Sequence, residues 1–178
     1  MSGGHAPSRQ INVIQGGYAI SDRPEEVLVT ILGSCVATCL HDPVAGIGGL
    51  NHFLLPGGNS GDRSSQKYGL NLMELLINAL LKRGARRERL QAKLFGGGRM
   101  IANMANIGAL NGVFAERFLA DEGIPLISKS LGGEQARRLR YWPQSGRVQQ
   151  MLLARADLDE TPAAPERAPA GSGDVDLF

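Results

Sequence analysis

The segment LGSCVATCLHDPVAGIGGLNHFLLP, residues 32–56, determines how this chain folds locally. The run from Cys35 to His41 is rich in residue types that favour strands. The next five residues, 42–46, have turn chemistry, because Asp bonds its own backbone, Pro presets φ and Gly accepts a positive φ. The chain then returns through residues 47–55. The segment therefore predicts a β-hairpin with a cysteine on one strand and His52 on the other.

The length of the hairpin loop decides whether the thiol and the imidazole can meet. A two-residue loop, Pro43-Val44, places Cys35 directly opposite His52, with Cβ atoms about 4.5–5.5 Å apart. A four-residue loop, Pro43 to Gly46, makes the two residues diagonal neighbours on one face, roughly 7–8 Å apart. A register shifted by one residue would put the side chains on opposite faces. The sequence leaves these registers open.

A cysteine and a histidine on one face of a hairpin are typical of acyl chemistry. The thiolate is the nucleophile, and a nearby histidine is needed to generate it. Gly33 permits a tight corner before Cys35, and backbone N–H groups at Gly33 and Ser34 are candidates for holding an oxyanion. A third polar group usually orients the histidine. Thr30 is the better candidate, because Asn51 alternates away from His52 along the strand.

Structural roles compete with this catalytic interpretation. A lone cysteine in a strand is usually buried filler, and a lone histidine is usually a hydrogen-bonded structural group. A zinc site is disfavoured, because the candidate ligands are few and not clustered. We therefore predict neither a metal nor a cofactor.

Composition narrows the class of protein. The chain has 178 residues, 43% of them hydrophobic, which suits one domain with a substantial core. A net charge of +2 does not favour binding to nucleic acid or to an anionic membrane. No apolar run approaches the length of a membrane span, and the N-terminus lacks a signal-peptide pattern. Two cysteines in one strand do not form a disulfide framework, so we expect a reducing, cytoplasmic location.

The remaining chain predicts two helices packed on strands. Apolar residues recur at helical spacing in two segments: Met73, Leu76, Ile77, Leu80 and Leu81 in the first, and Leu110, Val113, Phe114, Phe118 and Leu119 in the second. Residues 137–142 and 148–153 predict a closing hairpin whose arginines guard an exposed edge strand.

Three regions divide the chain. Residues 1–9 are polar and predicted to be disordered, and residues 10–153 form the folded domain. Residues 154–178 are rich in Asp, Glu, Ala and Pro and predict a disordered tail, whose apolar–acidic end is a candidate docking segment. A phosphate-binding role for Gly96-Gly97-Gly98 is disfavoured, because no Lys-Ser/Thr follows the glycines.

The motifs resemble those of a known family, the CheD chemoreceptor glutamine deamidases. The resemblance depends mainly on residues 32–37, Asp42-Pro43 and residues 48–56, which contain the cysteine and histidine motifs. Weaker motifs follow in the same order, namely Tyr68, Met73-Glu74-Leu75-Leu76, Lys93 to Gly97, Ile107-Gly108, Gly123-Ile124-Pro125, Leu131-Gly132-Gly133 and Gly146-Arg147-Val148.

This resemblance implies both a fold and a reaction. The fold would be α+β, a three-layer α/β/β sandwich with mixed or antiparallel sheets and two main helices on one face. The reaction would hydrolyse glutamine side-chain amides to glutamate on methyl-accepting chemotaxis proteins, through a thioester on Cys35. His52 would be the general base and acid, and Thr30 would orient it. A CheC-type phosphatase is an expected further partner.

Two other functions remain open beside the one that the resemblance implies. One is a non-catalytic regulatory module that binds a chemotaxis phosphatase or a receptor array. The other is a cysteine protease or transglutaminase, which would use the same acyl chemistry with a different acceptor.

Overall fold

The computed structural model describes residues 7–55, 63–101, 106–154 and 175–178. Two five-stranded sheets and two helices make up the fold. In chain order the elements are β1 (Arg9–Asn12), β2 (Tyr18–Ser21), β3 (Glu26–Leu32), β4 (Val36–Asp42), β5 (Ile47–Phe53), α1 (Arg63–Lys82), a short 3₁₀ turn (Arg87–Arg89), β6 (Gln91–Gly96), α2 (Ile107–Asp121), β7 (Leu126–Leu131), β8 (Arg137–Trp142), β9 (Arg147–Leu152) and β10 (Val175–Leu177).

The two sheets and the helices form three layers, which confirms the predicted α+β sandwich. The central sheet has the strand order β2-β5-β4-β6-β7, and the outer sheet has the order β1-β3-β8-β9-β10. Both sheets are mixed, because β1–β3 and β6–β7 are parallel pairs. Helices α1 and α2 cover one face of the central sheet. None of the described helices is long and apolar enough to cross a membrane.

The central sheet is apolar on both faces, as a middle layer requires. Its helix-facing core includes Leu40, Leu76 and Leu80. Its other core joins it to the outer sheet and includes Leu28, Leu50 and Tyr141. Strands β4 and β5 contribute to both cores, which explains why every residue of β5 is buried.

Asp42 closes the predicted β4–β5 hairpin with a four-residue loop. Asp42 pairs with Ile47, and its carboxylate accepts hydrogen bonds at 3.0 Å from the backbone N–H groups of Val44 and Ala45. Burial opposes a charge on Asp42, but its bonds to Arg89 and the backbone outweigh burial and lower the pKa of Asp42 to about 2. The turn is therefore held by an ionised side chain at neutral pH.

The C-terminal end differs from the predicted disordered tail. Residues Val175–Leu177 form β10, which pairs antiparallel with β9. The ring of Phe178 packs edge-on against Phe95, with centroids 5.4 Å apart. The composition of this segment predicted disorder, because composition does not reveal that the last residues pair with the edge of a folded sheet. Residues 1–6 and 155–174 lie outside the described ranges.

The prediction of a charge-guarded edge at residues 137–142 is wrong. Strand β8 lies inside the outer sheet, paired with both β3 and β9. Arg137 is only 2% exposed and donates hydrogen bonds to the carbonyl oxygens of Ser130 and Gly132 and to Gln150 Oε1. Its guanidinium therefore connects the end of β7 to the outer sheet.

Candidate active site

The hairpin register brings the cysteine and histidine segments to the same end of the central sheet. Ala37 pairs with His52, which confirms the four-residue-loop alternative. Cys35 lies two residues before Ala37, at the corner between β3 and β4, and is therefore the diagonal neighbour of His52. Thr30 lies on β3, in the outer sheet. The candidate residues thus come from both sheets and lie along the seam between them, where His52 contacts Thr30.

The imidazole of His52 is held in one tautomer. Its Nδ1 atom lies 2.8 Å from Thr30 Oγ1 and 3.2 Å from the carbonyl oxygen of Val13. Thr30 Oγ1 donates its own proton to the same carbonyl at 2.8 Å. Because a carbonyl only accepts hydrogen bonds, Nδ1 must be the protonated nitrogen. The lone pair is therefore on Nε2, which is buried and has no hydrogen-bond partner among the described residues.

Asn51 points to the other side of the central sheet, as its alternation with His52 predicts. Its Oδ1 accepts a hydrogen bond from the Thr38 backbone N–H at 3.0 Å. Its Nδ2 lies 3.2 Å from Met73 Sδ, on α1. Asn51 therefore helps to join the sheet to the helix and does not contact the imidazole of His52.

Burial favours the uncharged forms of both the Cys35 thiol and the His52 imidazole. It raises the pKa of the Cys35 thiol above its ordinary 9.0, although the backbone N–H of Cys35 acts in the opposite direction. It lowers the pKa of His52 below 6.5, although the hydrogen bond to Val13 opposes this shift. At neutral pH the pair is therefore a thiol and a free base, so proton transfer must accompany nucleophilic attack.

The glycine run after β6 holds the corner that contains the cysteine. Gly98 donates its backbone N–H to the Gly33 carbonyl at 2.9 Å, and Gly97 donates to the Cys35 carbonyl at 2.8 Å. A side chain at position 96 would collide with that Cys35 carbonyl, so the close approach requires glycine. The run at 96–98 is therefore a backbone support for the nucleophile corner.

Asn111 of α2 fixes the third carbonyl of the corner. Its Nδ2 donates to the Ser34 carbonyl at 2.9 Å, and its Oδ1 accepts from the Leu55 backbone N–H at 3.0 Å. Asn111 is fully buried and so connects the start of β4 to the chain after β5. The available signal in the sequence was a polar residue within the apolar pattern of a helix. The partners of Asn111 were not predictable from that signal.

The fixed carbonyls also set the direction of the corner's N–H groups. In a trans peptide the C=O and the following N–H point in opposite directions, and the described residues contain no cis peptide bond. Because the carbonyls of Gly33 and Ser34 point towards Gly98 and Asn111, the N–H groups of Ser34 and Cys35 point away from these supports. This geometry suits donors for a developing oxyanion.

Gln15 is a residue of the site that sequence reasoning missed. The Cys35 thiol donates to Gln15 Oε1 at 3.6 Å, and the described contacts contain no hydrogen bond between Cys35 and His52. Gln15 lies in the turn between β1 and β2, twenty residues before the cysteine. Its only sequence signal was the Gln-Gly-Gly turn composition.

Metal binding has no support in this part of the chain. Among residues 7–55, 63–101, 106–154 and 175–178, no group of three or more His, Cys, Asp or Glu side chains is arranged to hold an ion. Both cysteines are free. The thiol and the imidazole at this corner are side-chain types that covalent acyl chemistry uses.

Comparisons with known proteins place the chain among chemotaxis proteins. The model of a family described as CheD chemotactic sensory transduction matches residues 54–151. A protein of Rhizobium rhizogenes (strain K84 / ATCC BAA-868) named "Probable chemoreceptor glutamine deamidase CheD" is 54% identical over 174 residues, 96% of this chain and 95% of the relative. A protein of Caulobacter sp. (strain K31) with the same name is 53% identical, over 97% of this chain and 94% of its own length. The solved structure of Bacillus licheniformis hypothetical protein YfiH gives a TM-score of 0.44 at 16% identity, covering 70% of this chain and 60% of that protein.

Proposed function

This chain belongs to the CheD family, and from that membership we propose that it is a glutamine deamidase acting on chemoreceptors, with Cys35 as its nucleophile. His52 is the general base and acid, and Thr30 orients it. One observation supports this assignment above the others. The Nδ1–H of His52 is engaged by Thr30 and Val13, while Nε2 keeps an unpartnered lone pair among the described residues of the site.

The first half-reaction transfers the acyl group of the substrate glutamine to sulfur. His52 Nε2 removes the thiol proton as Cys35 Sγ attacks the side-chain amide carbon. The oxyanion that forms is stabilised by the backbone N–H groups of Ser34 and Cys35 at the corner that follows Gly33. The tetrahedral intermediate then collapses, the carbon–nitrogen bond breaks, and the His52 imidazolium gives its proton to the departing ammonia.

The second half-reaction regenerates the thiol. A water molecule takes the place of ammonia, and His52 Nε2 accepts its proton as the oxygen attacks the thioester carbon. The carbon–sulfur bond breaks, and the proton returns to Cys35 Sγ. The products are a glutamate side chain on the receptor and the original enzyme. Throughout both halves, Thr30 and the Val13 carbonyl keep the protonated Nδ1 in place.

The test uses cytoplasmic fragments of chemoreceptors as substrate. Mass spectrometry should detect conversion of glutamine to glutamate in the fragment, with release of ammonia. Cys35→Ala should abolish conversion. Cys39→Ala is the matched control, because Cys39 is 2% exposed in the core between the sheets and should leave activity intact. Full activity of Cys35→Ala would contradict the mechanism.

The same assay separates deamidation from related acyl chemistry. A cysteine protease would cleave the backbone of the receptor fragment, and a transglutaminase would incorporate an added primary amine. Either product in place of ammonia release would contradict the deamidase assignment, because only the acceptor of the thioester differs among these reactions.

Two further proposals concern location and partners. We place the enzyme in the cytoplasm, because a nucleophilic thiol persists in a reducing compartment and both cysteines are free. A CheC-type phosphatase is the proposed regulatory partner. If binding is separate from catalysis, Cys35→Ala should still bind this phosphatase with unchanged affinity by calorimetry.

A further inference from the structure

The residue in front of the nucleophile is a glutamine presented by a tight turn. Gly17 donates its backbone N–H to the Ile14 carbonyl at 2.9 Å, which closes a four-residue turn. Gly16, at its third position, has φ +83°, as a type II turn requires. Gln15 occupies the second position and is exposed. The turn therefore fixes the backbone of Gln15 and leaves its side chain exposed.

This turn is bonded directly to the catalytic residues. The backbone N–H of Gly16 donates to the backbone carbonyl of His52 at 2.7 Å, and the backbone N–H of His52 donates to the backbone carbonyl of Gly17 at 3.0 Å. The backbone carbonyl of Val13, the residue before the turn, accepts a hydrogen bond from the hydroxyl of Thr30. The position of Gln15 relative to the imidazole is therefore set by the same backbone bonds that support the imidazole.

The side-chain amide of Gln15 is already against the sulfur. The distance from Cys35 Sγ to Gln15 Oε1 is 3.6 Å. Because the thiol donates to the amide oxygen, the amide carbon lies behind that oxygen and farther from the sulfur, and rotation of the exposed Gln15 side chain would bring it to the distance of about 3–3.5 Å from which reacting atoms attack. The group in contact with the thiol is thus a glutamine carboxamide, the same chemical group that the enzyme hydrolyses.

We propose that Gln15 is a self-modification site, deamidated in cis by Cys35 to a glutamate at position 15; this inference rests on the proposed function. Cys35 Sγ forms a bond to the amide carbon of Gln15 while His52 Nε2 takes the thiol proton. The bond from that carbon to Nε2 of Gln15 breaks, and ammonia leaves with the proton. Water then hydrolyses the thioester, returning the thiol and leaving a carboxylate on the turn.

The chain contains its own controls for spontaneous hydrolysis. Gln10 and Asn12 lie on β1, a few residues before Gln15, and both are exposed. Neither makes a hydrogen bond to Cys35 in the described structure. Uncatalysed loss of amide would affect these side chains as well, whereas catalysis by Cys35 would be confined to Gln15.

The experiment compares full-length wild type with Cys35→Ala and Cys35→Ser, after circular dichroism has shown that each is folded. Fragment mass spectrometry of a peptide spanning residues 10–18 measures the acid form at positions 10, 12 and 15 over time. A chemoreceptor fragment is included in the same tube. We expect most wild-type chains to contain glutamate at position 15, either on purification or during incubation, and both variants to retain glutamine there. Isotope-labelled Cys35→Ala mixed with wild type should stay unconverted, because the reaction is in cis.

Each alternative result has one meaning. If receptor glutamines are converted while wild-type position 15 stays glutamine, this inference is overturned and the deamidase function stands. Equal conversion at position 15 in wild type and both variants also overturns it, since the loss is then uncatalysed. Conversion of the labelled variant at the wild-type rate overturns the cis mechanism. If neither the receptor nor position 15 is converted, the proposed function itself fails.

Discussion

Replacing Thr30 with valine removes one hydroxyl from the candidate site and preserves the shape of the side chain. The hydroxyl of Thr30 lies 2.8 Å from the Val13 carbonyl and 2.8 Å from His52 Nδ1, and Thr30 is buried. The change deletes one donated and one accepted hydrogen bond. Because a typical intramolecular hydrogen bond contributes about 0.5–1.5 kcal/mol net, we expect the free energy of unfolding to fall by about 1–3 kcal/mol.

The expected effect of this change on catalysis is partial. After the substitution, the Nδ1–H of His52 still has the Val13 carbonyl at 3.2 Å as an acceptor, so the tautomer is retained. In a Ser-His-Asp triad, loss of the correct tautomer costs about 10⁴-fold in kcat. Here only one of two acceptors is lost. We therefore expect kcat/KM to fall by about 10- to 100-fold, which corresponds to roughly 1.4–2.8 kcal/mol of transition-state stabilisation.

The assay measures kcat/KM on a chemoreceptor fragment and stability by urea unfolding. Thr38→Val is the matched control, because the buried hydroxyl of Thr38 contacts Met73 Sδ at 3.4 Å on the helix side of the central sheet. This control should change stability slightly and leave kcat/KM unchanged. An unchanged kcat/KM in Thr30→Val would refute an orienting role for Thr30. An equal loss in Thr38→Val would show that the effect is one of general stability.

Three further predictions follow from the site and its supports. Burial lowers the pKa of His52, so kcat/KM should fall on acidification with a midpoint below pH 6.5, as the base is protonated. Burial raises the pKa of Cys35, so kcat/KM should stay level up to about pH 9. A midpoint of the acidic limb above pH 6.5 would contradict this prediction. Asn111→Ala leaves a corner carbonyl and a backbone N–H without their partner, so urea unfolding should show a loss of about 2–4 kcal/mol together with reduced kcat. Phe178→Ala should cost about 1–2 kcal/mol through lost packing in the core between the sheets, whereas Leu177→Ala, at a position 68% exposed, should change stability by less than about 0.5 kcal/mol.

Local chemistry made the hairpin predictable but not its register. Turn residues and strand-forming residues are contiguous, so the two strands and the loop follow from residues 35–55 alone. Both loop lengths suit a segment that contains proline and glycine. The choice depends on the carboxylate of Asp42, which accepts hydrogen bonds from the loop backbone and pairs with Arg89, 47 residues away. A contact that distant in sequence leaves no local pattern.

The missed residues share this dependence on distant contacts. Gln15 reaches the thiol across twenty residues, and Asn111 reaches the corner carbonyl across 77. Thr30 was predictable because it lies on the strand that leads directly into the corner. The docking of Phe178 depends on an unpaired strand edge at β9, a property of the folded sheet that composition does not encode.

The site is divided between two layers, and this division has a consequence for how activity depends on folding. The hairpin supplies the proposed nucleophile and base, but Thr30 belongs to the outer sheet and Val13 follows β1 of the same sheet. The core between the sheets therefore sets the distance between His52 and the groups that fix its tautomer. Loosening that core would release the Nδ1–H before the hairpin itself unfolds, because the hairpin is also held by the helix-facing core. Deamidase activity should accordingly be lost at a lower urea concentration than the helical signal in circular dichroism.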